Sequence, residues 1–368
     1  MSRVTDRAEV SDVIAQMIAE VVALHSQVGA NDIRRGQDAV DVASLAAEVE
    51  KTAQGFRVTK IFGGDPELLE ERSPLARPEV NVRVGDTITA VNGLAAHTVA
   101  TIGELLRNQT QKQVLMSVLD GRANAAHKIR DVIVTPIAPR RDRDLRYLSW
   151  ERERNNKVEA ASSKRIGYVH LQAMGPNDIA RWAREFYPVF AREGLIIDLR
   201  SNNGGSIDSW ILEKLQRRAW HFWQGRNHDT PTANQQLAFR GHVVALIDAE
   251  TYSDGETMAQ GLKRLGIAPL IGTTTAGAGI WLSDQNRLRD NGIARAAEYG
   301  VYVNEGKERM WITEGVGVAP DIRVDNLPHS TFNGSDAQLD AAIGYLMDKM
   351  AKEPMQKPVV PAYPIKAR

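Results

Sequence analysis

A polar turn containing Ser253 combines the residue types and the position that nucleophilic chemistry needs. An apolar run at residues 243–248 predicts a buried strand, and a helical segment starts directly after the turn, near Glu256. The first N–H groups of a helix have no partner within it, so they could stabilise an oxyanion that develops beside the serine. Thr251 stands where a Gly-x-Ser-x-Gly elbow has its first glycine, which disfavours the α/β-hydrolase arrangement. Serine is also a favoured helix N-cap, so the turn alone leaves capping and catalysis both open.

A second polar loop at residues 200–205 follows another apolar run, 195–199, that predicts a buried strand. In open α/β sheets the carboxyl ends of strands are where function is found, and both loops lie at such ends. Glycine lets a backbone N–H approach a substrate closely. The N–H groups of Gly205 and of Asp254, the residue after the serine, could therefore form a two-donor oxyanion hole. A loop rich in asparagine and glycine is equally common where no chemistry occurs.

The composition restricts the chemistry that this chain of 368 residues can use. It has no cysteine, which excludes disulfides, thiolate zinc sites and cysteine nucleophiles, and no His/Asp/Glu pattern that predicts a metal site. We therefore expect neither metal nor cofactor. Lys+Arg and Asp+Glu balance at 46 each, which argues against a nucleic-acid partner, and no apolar run has membrane-spanning length. Residues 1–7 lack the apolar region of a signal peptide, so we expect a cytoplasmic protein.

Two modules are predicted before residue 140. Residues 1–42 form a helical segment, with apolar residues at three- and four-residue spacing between 10 and 24 and a helix stop at Gly29. Residues 43–139 change to short β-like runs with one helix. Their segment 85–93 (GDTITAVNG) resembles a signature of PDZ domains. Such domains bind a peptide end as an added strand, although the unit could also serve as a rigid spacer.

The rest of the chain is predicted to form a connector, an α/β domain and a tail. Alternating charges at residues 140–164 indicate a solvated, charged linker. Strand-like runs alternate with helical segments across residues 165–352, which predicts a mostly parallel sheet covered by helices. The Pro-rich residues 353–368 indicate an extended tail.

Six short motifs follow the PDZ-like unit in order: 166–171 (IGYVHL), 195–205 (LIIDLRSNNGG), 252–255 (YSDG), 270–273 (LIGT), 315–321 (GVGVAPD) and 336–343 (DAQLDAAI). This order resembles the C-terminal half of tricorn proteases and, more distantly, the C-terminal processing peptidases. The resemblance extends over residues 10–352. Several independent motifs in one order are far more specific than any of them alone.

The resemblance implies roles for five residues. Ser253 matches the family nucleophile, His25 its general base, and Glu314 the glutamate that completes the tetrad. The backbone N–H groups of Gly205 and Asp254 match the oxyanion donors. These roles agree with the chemistry, because a serine hydroxyl is a poor nucleophile until a neutral imidazole removes its proton.

Three positions differ from related enzymes. No lysine lies between Lys263 and Lys307, so the Ser-Lys dyad of the processing peptidases has no candidate here. Leu24 precedes His25, where tricorn has a serine that helps to link the base to the glutamate. Trp223 stands where an ungapped alignment places the aspartate that selects basic residues. We therefore expect Trp223 to bind substrate, with the preference for Lys/Arg replaced by one for small or apolar residues.

The sequence thus predicts a mixed α+β or α/β protein, in which a crotonase-like α/β catalytic domain carries an inserted PDZ-like β-rich domain and an N-terminal helical segment. We expect a serine endopeptidase or oligopeptidase that cleaves peptides or unfolded proteins through an acyl-enzyme on Ser253. The resemblance implies a homo-oligomer, a hexamer. One alternative is a catalytically impaired peptide-binding module, in which Leu24 and Trp223 reflect lost activity. Another is a crotonase-like acyl-transfer enzyme, which the PDZ-like unit disfavours.

Overall fold

The computed structural model describes residues 3–26, 28, 39–122, 128–228, 230–233, 237–282, 289, 297–305 and 308–362. The chain divides into two compact units, one formed by residues 1–34 and 155–368 and the other by residues 35–154. The first unit is therefore built from two chain segments that flank the second unit in sequence. No helix within the described ranges is long and apolar enough to cross a membrane.

The N-terminal helix α1, Arg7–Ala19, is shorter at its end than the apolar spacing at 10–24 predicted. Asp6 begins it as the N-cap, because its carboxylate accepts the N–H of Glu9 at 2.9 Å. Beyond its C-cap, Val22 takes a φ of 57°, which a β-branched residue adopts only outside a helix. None of the α1 side chains is buried. The predicted helix stop, Gly29, lies outside the described residues.

The unit of residues 35–154 is a β-rich domain. Its strands pair in the order β1-β2-β3-β5-β6, with β4 on β3, and all pairs are antiparallel. Buried and exposed side chains alternate along β5, where Val114, Met116 and Val118 face the core. A short helix, α2, spans Ile102–Leu105. The strands are Ala47–Thr52 (β1), Gly55–Ile61 (β2), Thr87–Val91 (β3), Leu94–Ala95 (β4), Val114–Leu119 (β5) and Ile129–Val134 (β6).

Residues 140–164, whose charges indicated a solvated connector, lie almost entirely in helix α3, Pro139–Ser162. Opposite charges four residues apart favour a helix, as the 2.7 Å ion pair of Arg146 with Asp142 illustrates. The helix is also partly buried. Leu145 packs in the core of the β-rich unit, and Val158 packs in a core of the other unit. The alternating charges therefore mark a helix surface.

A five-stranded parallel sheet forms the centre of the unit of residues 1–34 and 155–368. Its strand order is β17-β12-β11-β8-β7. Helices follow the strands in sequence, as the alternating pattern predicted. The strands of this sheet are Ile166–His170 (β7), Gly194–Asp198 (β8), His242–Ile247 (β11), Leu270–Gly272 (β12) and Ile322–Arg323 (β17). The helices are Pro176–Phe186 (α4), Asp208–Leu215 (α5), Asp254–Arg264 (α6), Pro328–Phe332 (α7) and Ala337–Lys352 (α8).

Each face of this sheet has its own apolar core, because successive side chains of a strand point to opposite faces. Along β8, Leu195 and Ile197 pack with α4, α5 and α6, whereas Ile196 packs with α8. The sheet is thus the middle layer of a three-layer arrangement. The loops after β8 and β11 emerge from adjacent parallel strands at the same edge, which places residues 199–207 beside the Ser253 turn.

Among the residues that the structure describes, three two-stranded antiparallel pairs add to this unit, and the alternating strand–helix pattern did not predict them. They are β9 with β10, β13 with β14, and β15 with β16. Their strands are Phe222–Trp223 (β9), Thr232–Ala233 (β10), Ile280–Leu282 (β13), Ala297–Gly300 (β14), Tyr302–Glu305 (β15) and Glu308–Trp311 (β16).

Candidate active site

Ser253 occupies a strained turn between strand β11 and helix α6. Its backbone has φ 56° and ψ −120°, a conformation that glycine adopts easily and that costs other residues about 1–3 kcal/mol. The side chain is almost wholly buried, with 6% of the residue exposed. A serine that served only as a helix cap would have no need of this conformation, since an N-cap residue normally lies in the β region. The strain favours chemistry over capping at this turn.

His25 reaches Ser253 although 228 positions separate them in the sequence. The Nε2 atom of His25 lies 2.8 Å from the Oγ atom of Ser253, within hydrogen-bond distance. The imidazole ring also packs against the ring of Tyr252, with centroids 4.7 Å apart, and against Trp281 at 6.1 Å. The N-terminal segment therefore brings an imidazole to the turn after β11.

Glu314 reaches the histidine segment through the backbone of Leu24. Its Oε1 accepts the Leu24 N–H at 3.4 Å, and its Oε2 accepts the N–H groups of Gly279 and Ile280 at 2.6 and 2.7 Å. A backbone N–H is present whichever side chain occupies position 24. The leucine before His25 therefore does not break the connection between Glu314 and this segment.

The two predicted oxyanion donors lie on adjacent loops. Met174 pairs with the residues on either side of Gly205: its N–H donates to Gly204 and its carbonyl accepts from Ser206, both at 2.8 Å. Gly205 lies between these two residues, and in such a parallel bridge its N–H points away from Met174. Within the described part of the chain, the N–H groups of Gly205 and Asp254 are not used by any backbone or side-chain acceptor. Both are therefore available to an external oxygen.

Gly204 permits the close approach of its loop to Ser253. A Cβ atom at Gly204 would stand 2.5 Å from the Cβ and 2.9 Å from the Oγ of Ser253. Its φ of 80° is also in the left-handed region that glycine favours. Position 204 therefore requires glycine, both for the close approach to Ser253 and for the positive φ. The Asn-Gly-Gly sequence indicated a glycine-rich loop but not which glycine is required.

A buried ionic cluster fixes the start of the loop at residues 199–207. Arg200 forms ion pairs with Asp198 at 2.6 Å and with Asp336 at 2.7 Å, and all three side chains are buried. Burial alone would raise the pKa of each aspartate, but the Arg200 guanidinium lowers both, that of Asp336 to about 2. Paired charges of this kind hold a loop rigidly, because separating them would leave a charge buried alone.

Comparison with known families covers both units of the chain. The sequence model of peptidase family S41 matches residues 165–324, and that of the tricorn protease PDZ domain matches residues 43–139. The chain belongs to the tricorn-type peptidases of family S41. The prediction of this family, and of a PDZ domain within it, is confirmed.

Individual tricorn proteins resemble this tricorn-type chain over most of its length. It is 33% identical to tricorn protease homolog 1 of Streptomyces coelicolor over 85% of this chain and 29% of that protein. It is 30% identical to a putative tricorn-like protease C-terminal subunit of Sulfurisphaera tokodaii over 96% of this chain and 40% of that protein. The crystal structure of the tricorn protease superposes with a TM-score of 0.84 and 25% identity, over 95% of this chain and 33% of that one. The chain thus spans less than half the length of these relatives.

Trp223 lies on the β9–β10 pair of the tricorn-type chain. Its residue is 59% exposed, and its ring meets that of His221 edge to face, with centroids 5.6 Å apart. This position leaves the ring open to solvent rather than packed in the core. A role in substrate binding stays a prediction.

Three further residues of the site were not assigned roles from the sequence. Glu256 follows Ser253 by three positions and accepts its backbone N–H at 3.1 Å, the reciprocal half of a capping box that the Ser-x-x-Glu spacing could have revealed. Tyr252 and Trp281 contact the His25 ring. The sequence around Tyr252 and Trp281 does not indicate these contacts, because they depend on where the N-terminal segment packs in the folded chain.

The side chain of Asp254 connects the two candidate oxyanion loops. Its Oδ2 accepts the N–H groups of Ile207 and Asp208 at 2.8 and 3.2 Å, at the start of α5. Burial, and then the neighbouring Asp208 carboxyl group, raises the pKa of Asp254 to about 7. The negative charge of Asp208 disfavours the ionised form of Asp254, in the same direction as burial.

Asp254→Asn is expected to remove a pH dependence of stability. The pKa of Asp254 in the folded protein, about 7, lies above its ordinary value of 3.8. Between these pH values the folded protein holds a proton that the unfolded chain has lost, so the wild type loses stability as the pH rises, by up to about 1.4 kcal/mol per pH unit. Asparagine can accept the same N–H groups of Ile207 and Asp208 without carrying a charge. Urea unfolding between pH 4.5 and 7.5 measures the difference.

The matched control is Asp178→Asn, at the start of α4, where the carboxylate accepts the N–H of Gly175. This variant should keep the pH slope that Asp254 causes. Equal slopes in the wild type and Asp254→Asn would contradict the assignment.

Proposed function

We propose that the chain is a serine peptidase in which Ser253 is the nucleophile and His25 the general base. The observation that carries this proposal is the 2.8 Å distance between His25 Nε2 and Ser253 Oγ, at a strained turn beside two unused N–H groups. Family membership supports the same chemistry. The crotonase-like description of the sheet unit and the domain limits predicted from the sequence stay predictions.

The geometry supports a two-step hydrolysis. In the first step His25 Nε2 takes the proton of the Ser253 hydroxyl while Oγ bonds to the substrate carbonyl carbon. The resulting oxyanion accepts hydrogen bonds from the N–H groups of Gly205 and Asp254. The carbon–nitrogen bond then breaks, and the imidazolium returns the proton to the leaving amine. In the second step water attacks the acyl-enzyme with His25 again as base, which releases the acid and restores Ser253.

Glu314 supports the base in this proposal through the Leu24 backbone. Its carboxylate also lies close to the segment that becomes positively charged when His25 is protonated. A negative charge there favours the imidazolium form. The relay proposed here needs no serine before the histidine.

The substrates that we propose are peptides or unfolded proteins, cleaved by endopeptidase or oligopeptidase action. The PDZ domain supports this choice, because PDZ domains take up extended peptide ends. We propose, from the resemblance to tricorn proteases, that this chain works within a homo-oligomer.

Covalent labelling tests the nucleophile directly. A fluorophosphonate probe is expected to attach to Ser253, with loss of fluoride, and mass spectrometry after trypsin digestion should place the adduct on residues 241–263. Ser253 is the only serine of that peptide. Labelling should require folded protein, because activation depends on His25, so heat-denatured chain is the control. Peptide hydrolysis without an adduct would contradict the proposal, and peptide binding with neither adduct nor hydrolysis would favour a binding module.

A further inference from the structure

Tyr252 makes two separate contacts with the segment that carries His25. Its hydroxyl donates to the carbonyl of Leu24 at 2.7 Å, and its ring lies against the His25 imidazole with centroids 4.7 Å apart and planes inclined at 41°. The first contact fixes the backbone next to the histidine, and the second fixes the ring itself. One side chain thus restrains both the position and the orientation of the base.

Tyr252 is itself firmly held. Its backbone N–H donates to the carbonyl of Asn202 at 2.9 Å, and its own carbonyl accepts the N–H of Gly255 at 3.0 Å, within the first turn of α6. Asn202 is fully buried in the loop after β8. The aromatic side chain therefore extends from a rigid part of the catalytic loops.

The histidine segment, in contrast, has little burial of its own. None of the α1 side chains is buried, and Val21, Val22 and Leu24 are exposed. Ordering such a segment costs conformational entropy that burial of its own apolar side chains does not offset. Contacts with the catalytic loops must therefore offset this loss of conformational entropy, and Tyr252 makes two of these contacts.

We propose that Tyr252 is a positioning residue, which keeps His25 within hydrogen-bond distance of Ser253. The inference rests on the proposed serine-peptidase function. The roles proposed for Ser253, His25 and the oxyanion donors do not explain what holds the imidazole in place, and Tyr252 fills this role. Trp281 contributes a weaker contact of the same kind, with its ring centroid 6.1 Å from that of His25.

Variants at position 252 separate the two contacts. Tyr252→Phe removes only the hydrogen bond to Leu24 and is expected to lower kcat about fivefold. Tyr252→Leu removes the ring contact as well and is expected to lower kcat about 100-fold, because a small displacement of a catalytic group has effects of this size. KM should stay within about twofold of the wild-type value, since Tyr252 contacts the base rather than the substrate.

Hydrogen exchange gives a readout that does not depend on activity. Amide exchange of residues 20–26 should be faster in Tyr252→Leu than in the wild type, with an intermediate rate in Tyr252→Phe. Tyr345→Phe is the matched control, because Tyr345 packs on the α8 face of the sheet. This variant should leave kcat and the exchange rates unchanged. If Tyr252→Leu fails to fold, Tyr252→Phe decides the question.

Two results would overturn the inference while the proposed function stands. One is wild-type kcat in Tyr252→Leu when His25→Ala is inactive, and the other is an effect confined to KM. Full activity of His25→Ala would instead show that His25 is not the base. The proposed mechanism would then fail, and the role of Tyr252 with it.

Discussion

Ser253→Ala is expected to lower kcat for peptide hydrolysis by about 10⁵–10⁶-fold and to abolish fluorophosphonate labelling. Ser253 is the proposed nucleophile, and the other hydroxyls of this turn donate elsewhere, that of Thr251 to the carbonyl of Leu199 and that of Tyr252 to the carbonyl of Leu24. His25→Ala should cost a similar factor, because the nucleophile without its base stays protonated. The two side chains act as one unit. The double variant should therefore be no slower than either single variant, with residual activity left by the oxyanion donors.

Ser330→Ala, on the exposed helix α7, is the matched control and should cleave peptides at the wild-type rate. Single-turnover kinetics with an activated ester would separate loss of chemistry from slow product release. A double variant much slower than both single variants would show that the two residues act independently, contrary to the geometry. Cleavage by Ser253→Ala at more than about 1% of the wild-type rate would rule out the nucleophile assignment.

The parts of the site that follow from local sequence could be predicted. Apolar runs ending in polar loops located the Ser253 turn and the Gly205 loop at the ends of β11 and β8. Parallel pairing of adjacent strands then brought the two loops together. The first step uses only the alternation of strand-like and helical segments along the chain. The second uses the rule that functional loops lie at the carboxyl ends of parallel strands.

The remaining parts depend on distant residues. Nothing near residue 25 indicates that His25 reaches Ser253, and only the family resemblance suggested it. At position 24 a backbone N–H makes the contact with Glu314, so the identity of the side chain does not indicate that contact. Backbone interactions leave no mark on residue type. The strand pairs β13–β14 and β15–β16 were likewise not predicted, because these short strands show no simple alternation of apolar and polar residues.

Glu256→Gln is expected to destabilise the protein by about 3 kcal/mol, although it changes one atom of a side chain that cannot touch substrate. Glu256 is fully buried, and each carboxylate oxygen accepts two hydrogen bonds. Oε1 accepts from the Thr275 hydroxyl at 2.5 Å and from the Gly277 N–H at 2.7 Å. Oε2 accepts from the N–H groups of Ala278 and Ser253 at 2.7 and 3.1 Å.

Glutamine must turn its NH₂ group toward one of these two pairs of donors, so at least one backbone N–H loses its acceptor in the interior. The effect should extend to catalysis. The loop that Glu256 holds continues into Gly279 and Ile280, whose N–H groups bind Glu314, and Glu314 in turn contacts Leu24 beside His25. One buried carboxylate thus fixes both the Ser253 turn and the loop that binds Glu314. We expect kcat of Glu256→Gln to fall at least tenfold at temperatures where the variant is still folded.

The matched control is Glu213→Gln on α5, where the glutamate side chain is 63% exposed and pairs with Lys214 and Arg217. Losing an exposed ion pair should cost less than about 0.5 kcal/mol. Urea unfolding of both variants measures the contrast, and Thr275→Val provides a milder test if Glu256→Gln does not fold. Equal unfolding midpoints for Glu256→Gln and Glu213→Gln would mean that the carboxylate is dispensable. A larger loss for the buried residue would show that the carboxylate joining the first turn of α6 to residues 275–278 stabilises the fold around the strained Ser253 turn.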